Sequence, residues 1–311
     1  MGEIKPVGRF APTPSGRLHL GNLLCAMVAW LSVKSRGGEI HLRIEDLDRA
    51  RCPFMGEHTQ YLLDDLAWLG LTFDGEILYQ SQRYEIYRRY FELLEQKRLL
   101  YPCYCSRAEL HAAAAPHLSD NLPVYSGKCR RRMEAGAPPP EGKRPAWRLR
   151  VPDENIAFSD TVCGDFCENL ARECGDFILR RSDGVYAYQL AVVVDDALSG
   201  INEVVRGNDL LHSTPRQIYL QRLCGFPTPV YSHIPLLTDA AGRRLSKREG
   251  DGCMARVRAK YPSPEPVIGA LAAALGLIPE PAPMTLAALL PYYDIRKFPR
   301  ASAALPETFR V

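Results

Sequence analysis

The chain has 311 residues, 46% of them apolar and 24% charged, which suits a soluble globular protein and excludes a disordered or collagen-like one. Basic and acidic residues number 39 and 36, a net charge of +3, so bulk charge does not mark a nucleic-acid binder and any such contact needs a local patch. No apolar run approaches the roughly 18 residues that span a bilayer. The opening "MGEIKPVGRF" has neither the apolar core of a signal peptide nor the Ser or Thr of a myristoylation site. A cytoplasmic setting is expected, in which the ten cysteines read as thiols or metal ligands and not as a disulfide framework.

In chain order, Val7 to Phe10 predicts a short buried strand, and the mostly apolar Leu23 to Val33 a buried helix. In "EIHLRIEDLD", Ile40, Leu42 and Ile44 alternate with His41, Arg43 and Glu45, the period of a strand. Helical spacing of apolar residues recurs over Met55–Leu69 and Gln82–Leu99. This β-α-β-α-α order predicts a parallel, doubly wound sheet. From Tyr101 to about Pro152 cysteines, prolines and glycines dominate and no period survives, which predicts an irregular insertion. "FILRRSDGVYAYQLAVVVDD" predicts a strand, an Asp-Gly turn and a second strand leading into "AVVV". "STPRQIYLQRLCG" predicts a helix with a Ser/Thr N-cap, Pro215 in its first turn and Gly225 at its end. "YSHIPLLTDAAGRRLSKREG" reads as a strand and a polar loop, and the tail holds a helix over Val267–Leu275, closed by Gly276, with room for one more.

Three stretches carry chemistry. "RFAPTPSGRLHLGNLL" runs from a strand through a Pro/Gly turn into a helix start, a natural anion site because the first helical amides are unpaired and partly positive. It is neither a GxxxxGK[ST] loop nor GxGxxG. His19 and Asn22 flank Gly21, whose missing side chain lets a flat ring approach the backbone. His19 is placed to donate to a phosphate; the plainer alternative is a turn histidine satisfied by the backbone. "GRRLSKREG" is a basic loop that, taken alone, reads as solvated. The third stretch holds Cys103, Cys105 and Cys129, a C-x-C followed by a further thiol, which points to zinc. Zinc wants four ligands, and the fourth is open between Tyr125, His111, His117 and a distant thiol; ligand chemistry alone favours a histidine. Cys163, Cys167 and Cys174 have no turn signal between them and read as small buried residues. The "KCRRR" run, Lys128 to Arg132, reads either as a phosphate contact or as a solvated turn.

"HLGN" resembles the HIGH signature of class I aminoacyl-tRNA synthetases, and "GRFAPTPSGRLHLGN" followed by "LRIEDLD" resembles the glutamyl-tRNA synthetase family. "RRLSKR" resembles that family's KMSKS loop. The resemblance implies an α/β class I fold. A Rossmann-type parallel sheet, residues 1–100 and 176–250, would be split by a zinc-containing insertion at 101–175 and followed by a short helical region at 251–311. It implies activation of glutamate by Mg2+-ATP. His19, Gly21 and Asn22 would face the phosphates from one side, and Lys247, supported by Arg244, would close from the other. Asn22 stands where the signature has its second histidine, and Arg244 where it has a lysine; both still donate hydrogen bonds. From "RFAP", "RIED", "AYQLA" and "VRGNDL", Glu45 would take the substrate ammonium and Arg9 and Arg206 its carboxylates. Tyr188 would add a hydroxyl, and Ala11 and Thr13 would line the same pocket. Arginine suits this role because its planar fork matches a carboxylate.

Sixty-three residues follow Arg248, too few for a full anticodon-binding module. The resemblance therefore narrows to the short, zinc-containing branch of the family, in which a tyrosine of a Y-x3-C element completes the metal site; here that is Tyr125 with Cys129. This branch implies a monomer that transfers glutamate to queuosine in the anticodon of tRNA(Asp) and not to a terminal ribose. Two alternatives remain open at this point: a truncated ordinary glutamyl-tRNA synthetase, and an inactive, zinc-stabilised RNA-binding descendant.

Overall fold

A computed structural model describes residues 5–48, 54–112, 124–239, 252–306 and 309. The first hundred residues follow the expected β-α-β-α-α order with one strand added, β3, between the last two helices: β1 (Val7–Phe10), α1 (Leu20–Lys34), β2 (Glu39–Ile44), α2 (Met55–Trp68), β3 (Leu78–Tyr79) and α3 (Tyr84–Gln96). β1 pairs with β2 and β2 with β3, both in parallel. Ile40, Leu42 and Ile44 are buried in one core with α1. Eleven of the 15 residues of α1 are buried, so it is an interior helix and not an amphipathic one. Its closeness to β1 requires Gly8, where a Cβ would lie 2.9 Å from Val33 Cγ1.

The insertion is more regular than its Pro and Gly content suggests. It supplies β4 (Leu100–Cys103), α4 (Arg107–Ala112), α5 (Lys128–Glu134), β5 (Ala146–Leu149), β6 (Asn155–Asp160), β7 (Gly164–Asn169) and α6 (Leu170–Glu173). Strand β8 (Phe177–Arg180) completes an antiparallel sheet ordered β4-β5-β8, so pairing crosses the boundary expected at residue 175. The "KCRRR" run is the start of α5 and not a turn. Its side chains are engaged locally: Lys128 with Glu109, Arg130 with Glu134, and Arg131 and Arg132 with the carbonyls of Ser126 and Pro138. β6 and β7 form a hairpin turning at Gly164, whose φ of +83° favours glycine. Cys163 and Cys167 lie on this hairpin, and Cys167 is exposed, contrary to the expectation of three buried cysteines.

The second half contains α7 (Tyr188–Leu198), β9 (Glu203–Gly207), α8 (Thr214–Cys224), β10 (Val230–Ile234), β11 (Leu236–Thr238), α9 (Met254–Lys260), α10 (Glu265–Ala274), α11 (Leu286–Leu289) and β12 (Ser302–Ala304). The expected hairpin before "AVVV" reduces to one bridge, Arg180 with Tyr186, after which the chain is helical. Residues Leu190 to Asp196 are all buried, and burial outweighs the weak helix preference of the valines. Helix α8 begins and ends as expected, with Gly225 at φ +74°, although the Ser213 side chain makes no cap bond. β9 and β10 are parallel, in a sheet ordered β7-β6-β10-β9. That sheet meets the first where the Asn202 N–H donates to Val7 O (3.0 Å) and Val7 N–H to Asn202 Oδ1 (2.8 Å). The tail holds helices as expected and also a strand, β12, parallel to β11. Among the described residues no helix is long and apolar enough to cross a membrane.

Candidate active site

His19 is the N-cap of α1. Its Nδ1 accepts the backbone N–H groups of Gly21 (3.1 Å) and Asn22 (3.3 Å), while its own N–H donates to Asn22 Oδ1 (3.4 Å). This reciprocal arrangement is a capping box built from His and Asn in place of Ser and Glu. An acceptor at Nδ1 puts the ring proton on Nε2, which makes that nitrogen the ring's donor. Gly21 is required by the same geometry, since a Cβ there would lie 2.9 Å from His19 Cε1. The flat ring accommodated at Gly21 is therefore that of His19 itself. Asn22 closes the box.

Arg244 and Lys247 lie outside the described residues. The chain resumes beside His19: Leu20 N–H donates to Gly252 O (2.9 Å), Met254 N–H donates to Leu18 O (3.0 Å), and His19 bridges Cys253. Asp65 of α2 reinforces the junction by accepting from Arg17 (3.5 Å) and from Arg258 of α9 (3.1 Å). Residues 252–254, which follow the KMSKS-like stretch in sequence, are thus bonded backbone to backbone with the His19 turn.

A cluster of charges sits beside this turn. Arg9 is the last residue but one of β1, Glu45 follows β2, Tyr188 opens α7 and Arg206 lies on β9, mostly near carboxyl ends of parallel strands, where open α/β sheets bind ligands. Arg9 is buried and donates to Asp196 (3.3 Å) and to Val205 O (3.2 Å). Arg43 donates to Asp196 (2.5 Å) and Glu45 (3.2 Å). Asp195, fully buried, accepts from Gln80 (2.8 Å), Arg83 (2.7 Å) and Tyr87 (2.8 Å). Arg206 donates through Nε to His233 Nε2 (3.0 Å) and through Nη2 to Thr214 (2.8 Å); its Nη1 is buried with no hydrogen-bond partner among the described residues. Such an orphan cationic donor is costly unless a ligand pairs it. Ala11 is half-buried and Thr13 exposed, both on the turn after β1, where Pro12 O accepts the Glu45 N–H (3.0 Å). A cavity of about 220 Å³ opens beside Arg9 and Arg43, lined also by His41 and Glu76.

Electrostatics tie the cluster together. Burial pushes the Glu45 carboxyl up, and Arg43 and Arg9 offset this only in part. Asp196 is also buried, but Arg43 and Arg9 outweigh that and hold it below its usual range. Burial raises the Tyr188 hydroxyl, which also feels the charges of Arg206, Glu45, Arg9 and Arg43. The sequence reading missed Arg43, Asp195 and Asp196. The signal was present: two acids inside the apolar run "AVVVDDAL" need buried cationic partners.

The third constellation lies in the insertion. The sulfur atoms of Cys103, Cys105 and Cys129 lie within 4.8 Å of one another, close enough to hold a metal ion. Tyr125 is buried beside them: its hydroxyl is 3.6 Å from Cys103 Sγ and accepts the Cys129 N–H (2.8 Å). The Arg148 guanidinium stacks 3.7 Å over the Tyr125 ring. His117 and the side chain of His111 lie outside the described residues.

The model for the catalytic domain of class I tRNA synthetases (E and Q) matches residues 6–280. Glutamyl-Q tRNA(Asp) synthetase of Symbiobacterium thermophilum is 47% identical over 96% of this chain and 95% of its own. The protein of that name from Neisseria meningitidis serogroup C is 50% identical over 78% of this chain and 80% of its own. Among solved structures, a glutamate tRNA ligase from Elizabethkingia meningosepticum, crystallised with its amino acid, superposes with a TM-score of 0.79 at 25% identity, covering 98% of this chain and 68% of that one. The chain belongs to the glutamate and glutamine class I tRNA synthetase family, among its glutamyl-Q tRNA(Asp) synthetases, which are ligases of the aminoacyl-tRNA synthetase type.

Proposed function

We propose that the protein activates L-glutamate with ATP as glutamyl-adenylate and transfers the glutamyl group to the queuosine base in the anticodon of tRNA(Asp). The observation that carries the glutamate half is Arg206, a buried guanidinium with one unpaired donor, set in the same charged cluster as Arg9, Glu45 and Tyr188. A dicarboxylic amino acid needs such a set: an acid for its ammonium and cations for two carboxylates. The names of the relatives support the tRNA half.

In activation, a substrate carboxylate oxygen attacks the α-phosphorus of ATP and pyrophosphate leaves. Negative charge builds on the phosphate oxygens, and fixed donors there lower the barrier. His19 Nε2–H and the positive end of the α1 dipole would serve from one side; the first amides of α1, expected to be unpaired, are taken up by His19 and Gly252. Lys247 and Arg244 would serve from the other, on a loop whose far end is bonded to the His19 turn. Magnesium enters with the nucleotide. The setting is the cytoplasm, where thiols stay reduced.

Glutamate-dependent ATP–pyrophosphate exchange tests the activation half. Exchange is expected; its absence in folded protein would favour an inactive RNA-binding descendant. The same assay reports Glu45. An ammonium ligand must be ionised, and burial raises this carboxyl, so glutamate binding is lost as pH falls through the raised value, sooner than for an ordinary glutamate. KM for glutamate should climb as pH falls, with its onset above the usual carboxylate value near 4.3. Glu45→Gln should show a high KM without that slope. A flat wild-type profile would remove the assignment.

Cys103, Cys105, Cys129 and Tyr125 would hold one structural zinc ion, consistent with their spacing. Purified protein should carry about one equivalent, and chelation should lower Tm by several degrees, since each kilocalorie lost is worth roughly 2–4 °C or less in a chain of this size. Tyr125→Phe should release the metal more readily. Full stability without metal would contradict the site.

A further inference from the structure

The family relationship does not explain why Arg206 is held as it is. Its Nε donates to His233 Nε2 (3.0 Å) and its Nη2 to Thr214 Oγ1 (2.8 Å), which itself lies 3.1 Å from His233 Nε2. Behind the imidazole, His233 Nδ1 lies 2.6 Å from Asp160 Oδ2. All four side chains are buried, His233 and Thr214 completely. An ionised Asp160 only accepts, so the imidazole proton sits on Nδ1 and Nε2 is left as an acceptor. One edge of the guanidinium is thereby engaged, and Nη1 is left without a hydrogen-bond partner among the described residues. Burial, against the pull of Asp160, pushes His233 down to about 4, so the ring stays neutral beside the arginine.

We propose that Asp160 and His233 are positioning residues for glutamate recognition: Asp160 sets the His233 tautomer, His233 and Thr214 clamp one edge of Arg206, and Nη1 is thereby presented to a substrate carboxylate. This rests on the reading of Arg206 as a carboxylate ligand. The relay runs from the β6–β7 hairpin through β10 to β9, so the insertion reaches the amino-acid site through three buried side chains. Neither Asp160 nor His233 would touch substrate.

Asp160→Asn isolates the tautomer. Asp160 Oδ1 accepts the backbone N–H groups of Val162 (3.0 Å) and Cys163 (2.9 Å), and the His233 N–H is shared between Oδ1 (3.1 Å) and Oδ2 (3.0 Å), so an amide oxygen at the Oδ1 position still accepts all three. The new NH2 would face Nδ1, move the ring proton to Nε2 and set donor against donor at Arg206. In ATP–pyrophosphate exchange, KM for glutamate should rise about 10- to 100-fold, the usual loss when the outer partner of an orienting histidine is altered. KM for ATP and Tm should stay near wild type. His233→Gln, which can offer a carbonyl at the Nε2 position, should recover most of what His233→Leu loses. In an Arg206→Ala background, Asp160→Asn should add little, because it acts through Arg206. An unchanged KM for glutamate in Asp160→Asn, an equal rise for both substrates, or full additivity with Arg206→Ala would each overturn the proposal. If Arg206→Ala alone leaves KM for glutamate unchanged, the underlying reading of Arg206 fails first, which distinguishes the two.

Discussion

Arg206→Ala is expected to raise KM for glutamate by roughly 30- to 4000-fold, the equivalent of about 2–5 kcal/mol, the cost of truncating one partner of a buried charge pair. The prediction follows from burial. Arg206 is 5% exposed, two of its nitrogens are committed to His233 and Thr214, and the third has no hydrogen-bond partner among the described residues. Water cannot easily replace it beside a substrate carboxylate. Arg206→Lys should rescue little, because one ammonium cannot hold two protein acceptors and a carboxylate in a planar fork. Exchange kinetics with glutamate and ATP varied separately would measure the effect. An unchanged KM for glutamate in a folded variant would show that the orphan donor serves some other group.

The second large effect is expected at His19, where structure and chemistry can be separated. His19→Ala removes the cap of α1, worth about 1 kcal/mol, and a donor whose loss from a charge-stabilising site costs about 100- to 1000-fold in kcat. His19→Asn should restore much of the stability, since asparagine is among the best N-caps, but not the Nε2 donor. Tm should then recover while exchange stays low. Wild-type exchange in His19→Asn would reduce His19 to a helix cap, the plainer of its two sequence readings.

How much was legible varied with the kind of signal. β1 and α1 were readable as short apolar runs that are buried, and β2 because its apolar alternation matches its burial. Tyr188 was placed on a strand-like run, yet it opens a helix, because the environment of α7 overrides the preference of its valines. The strands of the insertion were hidden by the Pro and Gly residues between them. At the site, Arg9, Glu45 and Arg206 were identifiable through short motifs. Arg43, Asp195 and Asp196 were not, because the pairings of the two acids join residues 108 to 187 positions apart, 153 for Arg43 with Asp196. Asn22 looked like a departure from a signature, and it is the acceptor that completes the His19 cap. Gly21 was read as making room for a ring, and that ring is its neighbour's.

The central claim is the site of transfer. The protein should be incubated with labelled glutamate, ATP and either queuosine-containing tRNA(Asp), the same tRNA without queuosine, or tRNA(Glu). After nuclease digestion the label should appear only with the first tRNA, on the fragment carrying the anticodon. Label on the 3′ end of tRNA(Glu) would contradict the account.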